Sequence, residues 1–441
     1  MFKRNSSCAI VAALLLAATA AFSHADATGT DTAVAYQVNI AHDGIQTDVT
    51  LAPPYTKAWQ VTLPGAVSYP IIAQSLVIVT ADDATNIPTL YAFNQLNGQL
   101  VWSQPLPYPQ PFSYPWANAA YDNGKVFAVG SAGIMSAFDA ASGSALWSVQ
   151  LPNEYLFSSP PTAAGGVVYT NGAGSAGLLY AVDEADGAVL AQAFVQNGDH
   201  SAPALSSNAT FSSFACNNDF AFTLNTLSRL WFVQYGCEGG GGRTSVYSNT
   251  RVLTRDWAST GNLILDAATG DLLGNYGPAG SFAYVTAPAV SGNAVYFTTG
   301  GSVTSQDISL PSSPTTRWTF AGDGNLVTAP LLINSFGGSF VIAGSSTGTL
   351  YALDAATGVQ LWAGFLGTAI SAPDEQNISA PLTGIAAGQG LLVVPAGNTL
   401  VAFTGTGAPV LPTTKGQCMH NGWKTYGFQS QGDCIKYVNG L

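Results

Sequence analysis

Residues able to do chemistry are few in this sequence, and they are scattered. Past residue 25 the histidines are His42, His200 and His420. None stands at metal-ligand spacing from another histidine or a cysteine. The run "EGGGGR" (238–243) looks like a phosphate loop only at first glance. It lacks the Lys-Ser/Thr ending and no helix is expected after it, so it reads as a surface loop. "ADDATN" (81–86) offers two acids for calcium but not the spaced set a calcium loop needs. Serines are plentiful, yet none sits in an expected strand-to-helix nucleophile elbow. Arg229, Arg243, Arg251, Arg255 and Arg317 fall in one half of the chain and could gather on one side of a fold. Each also reads as an ordinary surface residue. No catalytic, cofactor-binding or metal-binding residue is assigned from spacing alone.

The elements that must position these residues follow from composition. Only 8% of the 441 residues are charged, and there are 48 Gly and 24 Pro. That favours many short strands joined by turns. Lys3 and Arg4 precede an apolar run at 9–22, and Ser23 and Ala25 supply small residues before Asp26. This is the pattern of a secretory signal peptide over residues 1–25. The run is too short for a comfortable membrane span, so an exported protein, periplasmic or secreted, is expected. Its loss removes Lys3 and Arg4 and no acid, leaving 10 basic and 24 acidic residues, a net charge of −14. Such a surface disfavours nucleic acid and anionic lipid.

Organisation comes from a repeated phrase. In "LYALDAATGVQLW" (350–362), Ala352, Asp354, Gly358 and Trp362 lie at offsets 0, 2, 6 and 10. The same offsets hold at Ala92, Asn94, Gly98, Trp102 and at Ala137, Asp139, Gly143, Trp147. Looser copies begin at Ala181, Ala221, Ile264, Ser305 and Ala402, spaced 40 to 50 residues apart. Ala191 and Gly274 replace tryptophan in two of them, while Trp231 and Trp318 remain in two others. Proline markers at Pro70, Pro115, Pro160, Pro203, Pro288, Pro330 and Pro381 run in step. Each unit therefore holds four short strands, A at the proline to D at the tryptophan. Units of this kind stack as propeller blades. The Asp or Asn bonds its own turn, Gly ends it, and the indole fills the seam. Trp59 precedes the first marker and has no strand C of its own, so it is expected to supply strand D to the eighth unit.

The expected fold is all-β: an eight-bladed β-propeller over 57–406, with its ring closed by an N-terminal strand. A lead-in at 26–56 precedes it. A linker at 407–417 and a small module at 418–441 follow. The blade-docking set is Trp59, Trp102, Trp147, Trp231, Trp318 and Trp362. Alternating strands put the D–A and B–C connections on one, more variable face. Cys216 and Cys237 both fall there, so a local pair is expected, alongside Cys418–Cys434 in a module too short to hold without a staple. Candidate ligand-face residues are Tyr108, Phe112, Tyr114, Trp116, Tyr155, Tyr235, Arg243 and Tyr284, since aromatics and amides bind peptides or sugars.

The Ala/Asp/Gly/Trp phrase resembles the quinoprotein-type, or PQQ-like, repeat. "YQVNIAHDG" (36–44) is similar to the lead-in found before such propellers, and the Cys418–Val438 segment resembles a short tail of exported bacterial proteins. The resemblance implies one of two functions. A non-enzymatic member would bind a protein, peptide or glycan on its variable face, as a monomer with no cofactor. A quinone-dependent alcohol or sugar dehydrogenase would hold PQQ with Ca²⁺. The second also implies a vicinal cysteine pair, which this chain lacks, and basic residues facing three carboxylates, which are scarce here. The first is therefore the expectation.

Overall fold

The structure is a computed structural model. It describes residues 31–108, 116–198, 201–215, 217–235, 241–255, 261–278, 285–335, 337–373, 375, 381–406, 412, 414–419, 423 and 430–439. Eight sheets of four antiparallel strands form the ring, and Ile45–Thr47 adds a parallel strand to the seventh, against Leu331–Ser335. Blades 1 to 7 span residues 71–105, 117–150, 162–194, 204–234, 246–276, 289–320 and 331–365. Blade 8 takes three strands from 386–406 and its outer strand from Ala52–Thr62. There Trp59 pairs with Ala402 and Gln60 with Val401, so the two ends of the propeller meet in one sheet. Inner strands of most neighbouring blades touch one another around the axis. The B and C strands carry most of the buried Val, Leu, Ile and Phe.

The seams explain why the phrase repeats. Five indoles each donate Nε1–H to the backbone carbonyl three residues after the repeat's first Ala or Ile, in the turn of the next blade. The pairs are Trp59 to Gln95 (2.7 Å), Trp102 to Ala140 (3.0 Å), Trp147 to Glu184 (3.0 Å), Trp231 to Ala267 (2.9 Å) and Trp318 to Ala355 (3.1 Å). Each ring lies flat on the glycine of that turn. A Cβ on Gly143 would stand 2.6 Å from Trp102 Cδ2, and Gly143 has φ +70°, so both the contact and the backbone require glycine.

Three seams depart from the pattern. Between blades 3 and 4 the small Ala191 replaces tryptophan, and Leu227 takes the glycine position of the facing turn. The bulk has changed sides, with Leu227 buried in the cluster against which Ala191 packs. Between blades 5 and 6, Gly274 faces the insertion of the next turn, whose Pro311 carbonyl oxygen would lie 1.9 Å from an added Cβ. Trp362 meets no long turn. It packs edge-on against Tyr55 and Phe403, with ring centroids 5.2 and 5.7 Å away.

Residues 31–48 contact all eight inner edges. Ile72, Tyr121, Leu205, Tyr247, Val290, Leu332 and Gln389 donate backbone N–H to Ala33, Val34, Ile40, Ala41, Asp43, Gly44 and Asp31 respectively. On blade 3 the contact is His42 Nε2 to Thr162 Oγ1, at 2.9 Å. After the propeller, short helices at Lys415–Cys418 and Gln431–Val438 are joined by the Cys418–Cys434 disulfide.

Candidate functional site

The axis of the ring is filled from both ends. From the A–B side the lead-in inserts the Ala35–Val38 turn, where Gln37 and Val38 adopt positive φ. Tyr36 packs on Tyr69 at 5.5 Å, and a Cβ on Gly384 would lie 3.1 Å from its ring. His42 is fully buried: Nδ1 lies 2.6 Å from Tyr36 O, and Nε2 lies 3.1 Å from Pro203 O as well as against Thr162. Burial pushes its pKa down, against those carbonyls and the nearby Glu375 carboxylate, which favour the charged form.

From the other side the connection between blades 7 and 8 brings in Glu375. It pairs with Arg255, from the B–C connection of blade 5. Both side chains are buried. Arg255 Nη2 donates to Glu375 Oε1 at 2.8 Å and to Thr244 O at 3.1 Å, and Nη1 donates to Val285 O at 3.2 Å. Thr244 N–H donates to Glu375 Oε1 at 3.2 Å. Burial alone would raise the Glu375 carboxyl, but Arg255 beside it, with Arg243 and Thr244, holds it below the usual range. Burial opposes the Arg255 charge and Glu375 more than offsets it. Next to the pair, Tyr276 is buried, and its hydroxyl has no hydrogen-bond partner among the described residues. Burial raises its pKa, with Arg255 pulling the other way. The chamber thus holds the Arg255–Glu375 pair, with Arg243 buried beside the same carboxylate and Asp219 buried near Tyr276.

Residues 220–383, running from blade 4 past blade 7, match the family described as outer membrane protein assembly factor BamB. The chain is a propeller of PQQ-like repeats. Among solved structures, it is similar to quinohemoprotein alcohol dehydrogenase from Comamonas testosteroni. The TM-score is 0.66 and the identity 14%, over 88% of this chain and 83% of that one. Against quinohemoprotein alcohol dehydrogenase ADHIIG from Pseudomonas putida HK5 the values are 0.65 and 13%, over 86% and 80%. Against BamB from Moraxella catarrhalis they are 0.57 and 14%, over 79% and 99%. At such identities the likeness is one of fold. No curated protein matches.

On this PQQ-repeat propeller the residues singled out in the sequence separate. Cys216, Cys237, Phe112, Tyr114, Tyr284 and His200 lie outside the described residues. Trp116 and Arg243 are buried, the latter beside Glu375. Tyr108 and Tyr235 are half-buried, and Tyr155 is 57% exposed. Arg251 bridges blades 5 and 6 through Asn293 and the Ile308 carbonyl. Asp83 accepts from the N–H groups of Thr85 and Ile87, so "ADDATN" is a self-bonded turn. The string Gly344–Gly348, which fits a GxSxG pattern, lies in a strand-to-strand turn, where among the described residues Ser346 Oγ donates to the Asn325 carbonyl at 3.5 Å. No three His, Cys, Asp or Glu converge among the described residues, and no described helix is long and apolar enough to cross a membrane.

Sequence reading missed the Arg255–Glu375 pair. Its members are 120 positions apart, and each stands in an irregular connection. The only available signal was scarcity, an arginine and a glutamate spent in a chain with few charges.

Proposed function

We propose that this is an exported, non-catalytic propeller that binds a protein, peptide or glycan through its variable face. The observation that carries the reading is the filled axis. Tyr36 and His42 from one side and Arg255 with Glu375 from the other occupy the space along it. A quinone with three carboxylates needs cations turned towards it. Here Arg255 is matched by Glu375, Arg243 lies buried beside the same carboxylate, and an added tricarboxylate would press its charges against Glu375 in a desolvated space. The residues present do not fit that group. The exposed rim, with its variable connections and aromatics, is where a ligand finds surface. Residues 1–25 would direct export, and the disulfide-clipped tail would attach or protect the C-terminal end.

The test is an absorption titration of the mature protein with PQQ and Ca²⁺, followed by dye-linked oxidation of alcohols and sugars. The expected result is no bound chromophore and no turnover. Stoichiometric binding with dye reduction would replace this reading by the quinone-dependent dehydrogenase. Affinity capture on the propeller lacking residues 407–441 then identifies the partner.

A further inference from the structure

On the rim of blade 3, facing the variable side, the chain forms a groove of about 330 Å³ lined by Asn153, Glu154, Ser175, Leu178, Gln192 and Phe194. That lies at the lower end of the ~300–1,000 Å³ range of small-ligand sites. Three segments build it: the connection from blade 2, the B–C turn of blade 3, and the outer strand Val189–Phe194.

The groove presents no unpartnered charge. Its one carboxylate, Glu154, is buried and accepts from the N–H groups of Ser175 (2.6 Å), Ala176 (3.0 Å) and Gly177 (2.9 Å). Those bonds fasten the B–C turn to the neighbouring connection, and Glu154 forms wall rather than a counter-charge. Two amides remain. Asn153, held at φ +74°, donates Nδ2–H to Gln192 Oε1 at 3.1 Å. The pair leaves one acceptor, Asn153 Oδ1, beside one donor, Gln192 Nε2, neither used by another described residue. Gln192 and Phe194, two apart on one strand, point to the same side. The Phe194 ring is 74% exposed. Leu178 forms a buried floor, and Tyr155 lies nearby over Gly174, whose Cβ would meet the ring at 2.7 Å.

An adjacent acceptor and donor match a vicinal diol, whose hydroxyls each give and take a hydrogen bond. A bare aromatic face beside them suits the apolar C–H face of a sugar ring. We propose that this groove is a carbohydrate subsite that takes a neutral hexopyranose unit, its diol on Asn153 and Gln192 and its C–H face on Phe194. The assignment rests on the binding-module reading and narrows its ligand to a neutral glycan. A charged peptide would find no free charge to pair with here.

The mature protein is screened on an array of neutral oligosaccharides: α- and β-glucans, mannans, xylans and chitooligosaccharides. The best binder is then titrated by calorimetry. Phe194→Ala and the double variant Asn153→Ala/Gln192→Ala should each weaken binding about tenfold or more. Phe365→Ala, at the same strand position on blade 7 and 73% exposed, should leave it unchanged. All these side chains are on the surface, and unaltered circular dichroism shows that the variants fold. An array without a binder at millimolar concentration overturns the subsite, as does binding that Phe194→Ala does not weaken. A protein or peptide partner captured equally by Phe194→Ala also ends the subsite but leaves the binding-module reading standing. PQQ binding ends that reading instead.

Discussion

Trp102 and Gly143 form a pair whose coupling is open to measurement. Trp102 is buried, and its indole N–H donates to Ala140 O at 3.0 Å. Removing the indole gives up about 200 Å² of contact, roughly 5 kcal/mol at ~25 cal/mol/Å². Partial collapse of the seam returns some of this, so Trp102→Ala should cost about 4 kcal/mol. Gly143→Ala puts a Cβ 2.6 Å from Trp102 Cδ2 at φ +70°. The backbone cost is about 1–2 kcal/mol, and moving the ring adds a similar amount, for about 3 kcal/mol in all. In the double variant the clash disappears with the indole and only the backbone cost remains. The double variant should cost about 5.5 rather than about 7 kcal/mol, a coupling of about 1.5 kcal/mol. Urea denaturation of the four proteins reads this directly. Coupling under ~0.5 kcal/mol, or a Trp102→Ala cost under ~1 kcal/mol, would refute the wedge as the element that holds the seam.

Other seams and the axis give further outcomes. Ala191→Trp should overpack against Leu227, and Leu227→Gly should lose about 2–3 kcal/mol of packing; together they rebuild the Trp–Gly pair and should cost less than their sum in the same denaturation assay. Glu375→Ala leaves Arg255 charged and unmatched in a buried site, an expected loss of about 3–5 kcal/mol, whereas Arg255→Met/Glu375→Leu should be milder. Burial, then the neighbouring Asp122, raises the Glu184 carboxyl to about 8 at the seam of blades 2 and 3. The native state therefore holds a proton there that the unfolded chain releases above its ordinary pKa. Stability should fall as pH rises from about 4.5 to about 8, and Glu184→Gln should flatten that slope in a Tm-against-pH series. His42 runs the opposite way. Its lowered pKa means that the unfolded chain takes the proton first, so stability should fall as pH drops below about 6.5, and His42→Asn should remove that part of the acid slope.

Much of the fold was legible because it repeats. A phrase that keeps Ala, Asp, Gly and Trp in step declares both a strand pair and the seam beside it, and Trp59 without a strand C of its own declares the closure. Legibility fails where one repeat compensates for another. Ala191 looked like a lost wedge because its replacement, Leu227, lies on the next blade. The circuit of residues 31–48 around the axis was hidden for another reason: its contacts are mostly backbone bonds, which any residue can make. The Arg255–Glu375 pair and the Glu154 nest depend on which irregular connections meet in space, and no local spacing records that. The exposure of Phe194 was likewise invisible, since a strand-ending phenylalanine reads as core.

The closure of the ring by its own N-terminal strand is the claim on which the rest depends. Native-state hydrogen exchange tests it most directly, by following the amides of Ala52–Thr62 together with those of Leu391–Ala396 and Thr399–Thr406. The account predicts that all three segments open in one step with one free energy, because Trp59 and Ala402 share a ladder. Fast, independent exchange of Ala52–Thr62 while Leu391–Thr406 stays protected would contradict it.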